Sequence, residues 1–143
     1  MDFLDTNVLV YAISHRQDDQ PKAAVARSLI HFPDQAISLQ VLQEFYHATR
    51  QPRKLGLTHD EAILFCGQWR KFTVLEPTLV MFDEALRMCE RFQINYYDAA
   101  ILAAAKQLGC AKVYSEDLND GQDYDGVRVE NPFRHLVAGT PPP

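Results

Sequence analysis

The chain has 143 residues, a formal net charge of -5 and 47% hydrophobic residues, which suits one globular domain with a substantial core. No apolar run approaches the ~20 residues that span a bilayer, and the acidic start Met1-Asp2-Phe3-Leu4-Asp5 is unlike a signal peptide, so we expect a cytoplasmic protein. Three widely spaced cysteines argue against a disulfide framework or a zinc site. The negative charge argues against a nucleic-acid partner unless bound divalent cations offset it.

Strand and helix patterns alternate along the chain. In the first half we predict a strand ending at Leu4 or Asp5, a helix to about Ser14, a helix from Pro21, a strand over Gln35–Ser38 and a helix over Leu39–Arg50. In the second half we predict a helix after the capping box at 58–61, a strand at 72–75, a helix capped by Thr78, a helix that carries Asp98 and ends at Gly109, a strand at 110–114 and an edge strand over Val127–Glu130.

Strands separated by helices of this length imply parallel pairing with right-handed crossovers. We therefore predict an α/β fold, a three-layer helix–sheet–helix sandwich around a mainly parallel sheet of four or five strands. Residues 1–135 form a single domain in this interpretation, and residues 136–143 form a disordered tail.

Asp98 stands directly before an almost wholly apolar helical run and shares a face with Ile101, Leu102 and Ala105. Its simplest role is a helix cap, because Asp is favoured at a helix start and complements the helix dipole. A functional role requires other carboxylates nearby, since a partly buried acid needs a cation as partner or a shifted pKa.

Three further acids are placed to join Asp98. Asp5 and Asp117 follow predicted strands, at the sheet edge where sites form in parallel sheets. Glu44 lies at the edge of a helix's apolar stripe, where a solvated glutamate is the simpler interpretation. Acids crowded together repel unless a hard cation neutralises them, and oxygen ligands favour one or two Mg²⁺ or Mn²⁺ ions. Such ions support phosphodiester hydrolysis.

The chain resembles the PIN-domain ribonucleases, and within them the VapC-type toxins of bacterial toxin–antitoxin pairs. The resemblance runs from Phe3 to about Phe133 and rests on a helical Glu44 and three segments: Leu4-Asp5-Thr6-Asn7-Val8-Leu9-Val10-Tyr11-Ala12, Tyr97-Asp98-Ala99-Ala100-Ile101 and Val113-Tyr114-Ser115-Glu116-Asp117-Leu118. It implies a Mg²⁺- or Mn²⁺-dependent endoribonuclease that is a homodimer. It also implies inhibition by a small antitoxin, a segment of which wraps the toxin and reaches its site.

The resemblance assigns roles to individual positions. It implies that Asp5, Glu44 and Asp98 are the central catalytic, metal-binding acids and that Asp117 is the more variable fourth, with Asp120 as an alternative to it. Thr6, Asn7 and Ser115 are expected to support them: the hydroxyls of Thr6 and Ser115 adjoin proposed ligands and could hold them or a water, although turn and cap roles suit both equally well.

A compact basic cluster follows the Glu44 helix and consists of Arg50, Arg53 and Lys54. These side chains could bind the RNA phosphates that flank the cut, or form a solvated loop. The competing hypothesis for the whole chain is a PIN-like fold kept as a non-catalytic binding module. The presence of all four acids favours the enzyme.

Overall fold

The computed structural model describes residues 1–136. Its strands are β1 (Asp2–Leu4), β2 (Gln35–Ser38), β3 (Thr73–Leu75), β4 (Lys112–Tyr114), β5 (Asp123–Tyr124) and β6 (Val127–Glu130). Its α-helices are α1 (Thr6–Ala12), α2 (Gln20–Ile30), α3 (Leu39–Arg50), α4 (His59–Trp69), α5 (Leu79–Phe92) and α6 (Tyr96–Gln107), with a 3-10 turn at Gln17–Asp19. The predicted bounds of β2 and α3 are confirmed to the residue.

All six strands form one sheet in the order β3-β2-β1-β4-β6-β5. Neighbouring strands run parallel from β3 through β6, and the pairing of β5 with β6 is antiparallel. The predicted α/β sandwich with a mainly parallel sheet is confirmed. The sheet has six strands, however, rather than four or five.

The additional strand belongs to a hairpin that the sequence prediction missed. β6 is not the edge strand, because β5 pairs on its outer side. The two strands are joined by Asp125 and Gly126, both with positive φ (55° and 95°), and this is the backbone geometry of a two-residue hairpin turn. The Asp-Gly pair was therefore the sequence signal for β5.

The sheet is covered on both faces. Phe3 and Leu4 of β1 point to opposite faces and are both fully buried, as are all four residues of β2. α1 packs against α2 and α3, and α3 packs against α4, whereas α5 packs against α6, which contacts β2, β4 and β6. Two helical layers around a central sheet follow from this burial.

α6 is an apolar helix with well-formed ends. Asn95 caps its start, because the Asn95 side chain accepts a hydrogen bond from the Asp98 backbone N–H at 2.9 Å. Asp98 therefore lies in the first turn and is not the cap. At the other end Gly109 has a φ of 75°, and the Cys110 N–H donates to the Ala105 carbonyl at 2.9 Å, as in a Schellman motif.

None of the helices within residues 1–136 has the length and apolar character needed to cross a bilayer. Of the predicted tail at 136–143, Leu136 alone is described: its backbone N–H donates to the Phe133 carbonyl at 2.9 Å, and its side chain packs against the core. The rest of that segment lies outside the described residues.

Candidate active site

A cavity of about 350 Å³ opens beside the carboxyl ends of β1 and β4, and we call it the acidic cavity. Asp5 directly follows β1, and its N–H donates to the carbonyl of Tyr114, the last residue of β4, at 3.0 Å. Segments that follow two neighbouring parallel strands therefore meet here. The lining residues are Asp5, Thr6, Asn7, Val10, Tyr11, Arg16, Asp19, Glu44, Ala48, Lys54, Leu55, Tyr97, Asp98, Ile101, Glu116 and Asp117.

Asp5 is the most deeply buried acid of the cavity, with 5% of its surface exposed. Its carboxylate accepts hydrogen bonds from the Ser115 hydroxyl and the Thr6 N–H, both at 2.7 Å. Burial raises the pKa of Asp5 to about 7, with smaller contributions from the charges of Asp117 and Glu44, although both hydrogen bonds act against the rise. Its negative charge is thus costly at neutral pH without a cation.

Glu44 projects from the second turn of α3 and is half-buried. Its Oε1 accepts a hydrogen bond from the Thr6 hydroxyl at 2.9 Å. Thr6 therefore holds two acids at once, Asp5 through its backbone N–H and Glu44 through its hydroxyl. This explains why a small hydroxyl residue at the first position of α1 suits the site.

Asp98 is half-buried in the first turn of α6. The Asn95 amide donates to Asp98 Oδ2 at 2.7 Å and orients the carboxylate. Desolvation raises the pKa of Asp98, and the charge of Asp117 raises it further. Asp117 thus acts electrostatically on both Asp5 and Asp98, which indicates that the carboxylates share one space.

Asp117 and Asp120 occupy different surroundings. Asp117 lines the acidic cavity, and its Oδ2 accepts a hydrogen bond from the Asn7 amide at 3.1 Å. Partial desolvation, followed by the charge of Glu116, raises the pKa of Asp117. Asp120 is exposed outside the cavity, where its Oδ1 accepts the Asn131 N–H at 2.8 Å and holds a loop. The geometry favours Asp117 over Asp120 as the fourth acid of the cavity.

The structure adds lining residues that the sequence interpretation did not select. Glu116 accepts hydrogen bonds from the Tyr11 hydroxyl at 2.9 Å and from Lys22 at 2.7 Å. Asp19 accepts the Ser14 hydroxyl at 2.6 Å. Glu116 could have been found from its place between Ser115 and Asp117, but no local pattern indicates that the polar segment after α1 folds back over the site.

The predicted basic cluster is divided by the fold. Lys54 lines the acidic cavity, whereas Arg50 and Arg53 do not. The Arg50 guanidinium donates to the Tyr46 hydroxyl at 2.9 Å and lies over the Tyr46 ring. Arg16, from the loop after α1, lines the cavity together with Lys54.

The donor set of the cavity suits a hard divalent cation. Within residues 1–136, none of Asp5, Glu44, Asp98 and Asp117 forms a salt bridge, and their hydrogen bonds come from neutral donors. The Asn7 Oδ1 atom is buried and has no hydrogen-bond partner in the described chain, as suits an oxygen that would face a cation or its water. No three His, Cys, Asp or Glu side chains of the described chain stand as a ready-made metal-ligand cluster, so binding would require these side chains to draw together.

The fold and cavity define an α/β domain with an acidic site at the carboxyl edge of a parallel sheet. A family profile described as PIN domain matches residues 3–121, and this chain belongs to the PIN domain family. The family resemblance inferred from the motifs is thereby confirmed. No curated protein matches the chain.

Solved structures with a similar fold include VapC20 of Mycobacterium tuberculosis, described as a sarcin–ricin loop cleaving toxin, with a TM-score of 0.66, 19% identity and coverage of 82% of this chain and 90% of that one. A toxin–antitoxin complex from Klebsiella pneumoniae has a TM-score of 0.66 and 18% identity, and the match covers 92% of this chain and 98% of that one. VapBC2 from Rickettsia felis, bound to a DNA fragment from its promoter, has a TM-score of 0.60 and 16% identity, and the match covers 90% of this chain and 96% of that one. At sequence identities of 16–19%, these similarities show that the fold is shared.

Proposed function

We propose that this protein is a Mg²⁺- or Mn²⁺-dependent endoribonuclease and the toxin of a type II toxin–antitoxin pair. The observation that carries the proposal is the convergence of Asp5, Glu44, Asp98 and Asp117 on one cavity, where none of the four forms a salt bridge within residues 1–136. Family membership and the toxin-containing neighbours support it. A non-catalytic binding module is the second candidate, but it would have no need to keep four carboxylates in an electrostatically unfavourable cluster.

In this proposal the four acids hold one or two divalent ions, which would polarise the scissile phosphate and activate a water. The chain's own groups do the positioning. Thr6, Ser115 and Asn95 orient the carboxylates through the hydrogen bonds described above, and the Asn7 amide orients Asp117. Asp5 is buried, and the low local dielectric strengthens the electrostatic attraction between its carboxylate and a bound cation.

Asp98→Asn tests the proposal. We expect wild-type protein to cleave a mixed RNA pool with Mn²⁺ and not with EDTA, and Asp98→Asn to cleave at least about 100-fold more slowly, since even residues that merely support metal ligands contribute 10- to 100-fold. Asp120→Asn is the matched control: it removes the same charge outside the cavity and keeps an oxygen acceptor for Asn131. Equal cleavage by wild type and Asp98→Asn would reject the enzyme in favour of the binding module.

We also propose a small antitoxin as partner and a cytoplasmic location. The neighbours that are toxin–antitoxin complexes support the antitoxin. The three free thiols, Cys66, Cys89 and Cys110, suit a reducing compartment. An antitoxin segment that reaches the acidic cavity would compete with RNA for it.

A homodimer is the proposed oligomeric state, formed through α5. The side chains of Leu79, Phe82 and Leu86 are exposed at 82%, 45% and 46% and share one helical face. We expect light scattering to give about twice the chain's 16.3 kDa and Leu79→Glu to move the mass toward the monomer. Leu64→Glu, at a 67% exposed position on α4, is the control; a monomeric wild type would contradict the proposal.

A further inference from the structure

Two cations stand on the rim of the acidic cavity. Arg16 and Lys54 are its basic lining residues in the described chain, and both are exposed. They come from different connections, Arg16 from the loop between α1 and α2 and Lys54 from the loop between α3 and α4. Two loops therefore place positive charges at the edge of the cavity. The acids of the cavity come from other segments, after β1 and β4 and on α3 and α6.

Arg16 is held in place by its backbone and its side chain. Its N–H donates to the Ser14 hydroxyl at 3.2 Å, and its carbonyl accepts the Gln20 amide at 2.8 Å. Its Nη1 donates to the carbonyl of Arg53 at 2.9 Å. That bond joins the two loops next to Lys54 and leaves the other guanidinium donors available to a ligand.

Lys54 is presented by a tight loop. The Gln51 carbonyl accepts the N–H groups of Lys54 at 2.9 Å and Gly56 at 3.0 Å, and Gly56 has a φ of 58°, which favours glycine. Lys54 lines the same cavity as Asp117, so its positive charge belongs to the site.

Neither cation forms a salt bridge with a carboxylate of the described chain. In residues 1–136, salt bridges engage Lys22, Arg87, Arg91, Lys106, Lys112 and Arg134, but not Arg16 or Lys54. Uncompensated Arg and Lys beside one another are suited to an anion, and the planar guanidinium with a mobile ammonium matches the oxygens of a phosphodiester. The other charged side chains that line the cavity in the described chain are carboxylates, which would repel such an anion.

We propose that Arg16 and Lys54 form a phosphate subsite that binds one backbone phosphodiester of single-stranded RNA next to the phosphate placed at the acids. This inference rests on the proposed function and deepens it by giving the strand a path across the two joined loops. Phosphate contacts position a nucleic acid without reading its sequence. The subsite therefore fixes the position of the RNA strand on the enzyme and does not determine which bases are preferred.

The test measures binding of a short fluorescein-labelled single-stranded RNA of mixed sequence to intact protein that carries Asp98→Asn, so that the RNA survives. Each neutralised phosphate on a single strand contributes about 0.7 to the slope of log affinity against log salt. Between about 50 and 200 mM salt, we expect Arg16→Gln with Lys54→Gln to weaken binding about tenfold and to reduce the slope by about 0.7.

Two controls separate phosphate binding from structure. Arg70→Gln removes one charge from an exposed position at the end of α4, outside the cavity, so we expect under about a twofold change. Arg16→Lys keeps the positive charge but loses the planar guanidinium. We expect this variant to retain the wild-type slope of log affinity against log salt. A loss of slope in Arg16→Lys equal to that in Arg16→Gln would assign the effect to the loop contact and overturn the subsite.

The subsite and the proposed function fail separately. An unchanged affinity and slope in the double variant overturns the subsite whether or not wild-type protein cleaves RNA. If RNA binding depends on Arg16 and Lys54 but wild type with Mn²⁺ does not cleave, the subsite stands and the ribonuclease is rejected. In the cleaving protein, Arg16→Gln with Lys54→Gln should raise KM more than it lowers kcat.

Discussion

Replacing Asp5 by Asn should abolish cleavage and, at the same time, stabilise the metal-free protein at neutral and alkaline pH. We expect an activity loss on the order of 100- to 1000-fold, as for other single electrostatic contacts to a transition state. Asn is close in shape to Asp, can accept the Thr6 N–H, and can donate to the Ser115 hydroxyl, which reverses its hydrogen bond. The variant should therefore fold normally.

The stability gain follows from the pKa of Asp5, which is about 7 in the folded chain against an ordinary 3.8. Because the folded-state pKa is raised, the folded form favours the protonated acid. Its contribution to stability is fully present below pH 3.8 and is lost as the pH rises through 7. One pKa unit corresponds to about 1.4 kcal/mol, so the loss above neutral pH is at most about 4 kcal/mol. Asn carries no charge to desolvate and avoids this loss.

Thermal unfolding in EDTA across this pH range measures the effect. We expect Asp5→Asn to unfold at a higher temperature than wild type at pH 8 and at nearly the same temperature near pH 4. Mn²⁺ should raise the unfolding temperature of wild type by much more than that of the variant, because a ligand stabilises only a protein that binds it. A variant less stable than wild type at pH 8 in EDTA would contradict the assignment of Asp5 as a destabilising buried charge.

Phe45→Ala should cost about 3–5 kcal/mol of the free energy of unfolding, as large-to-small aromatic changes in cores do. Phe45 is fully buried on α3, beside Glu44. Its ring meets Trp69 edge-on with centroids 5.7 Å apart and Phe65 at 6.4 Å. Removing it leaves a cavity between α3 and α4 and removes one of the aromatic rings that Trp69 and Phe65 each contact.

Urea unfolding of Phe45→Ala and Phe45→Leu checks this prediction. Leu refills much of the volume and should cost less than half as much as Ala, with an unchanged dependence on urea concentration. A cost below about 1 kcal/mol for Ala would show that the helices close over the vacated space. Because Phe45 adjoins Glu44 on α3, Phe45→Ala should also reduce cleavage at temperatures where it remains folded.

Local signals determined much of the architecture. The apolar stripe of α3 indicated its bounds, the four buried residues of β2 were predicted to the residue, and Gly109 ended α6 as expected. Asp5, Glu44, Asp98 and Asp117 were selected because each occupies a recognisable place at a strand end or on a helix, and the resemblance to a family joined them. These features depend on neighbours within a few residues, which the sequence displays directly.

Tertiary structure decided what depends on distant partners. The place of β6 inside the sheet, the position of Asp117 in the cavity with Asp120 outside it, and the entry of Arg16 into the cavity arise from contacts across many residues, such as Asn7 to Asp117 and Arg16 to the Arg53 carbonyl. The raised pKa of Asp5 likewise comes from burial by the whole fold. Helix caps and apolar periodicity are local properties of a chain, whereas strand order, side-chain convergence and desolvation are collective ones, so only the folded protein determines them.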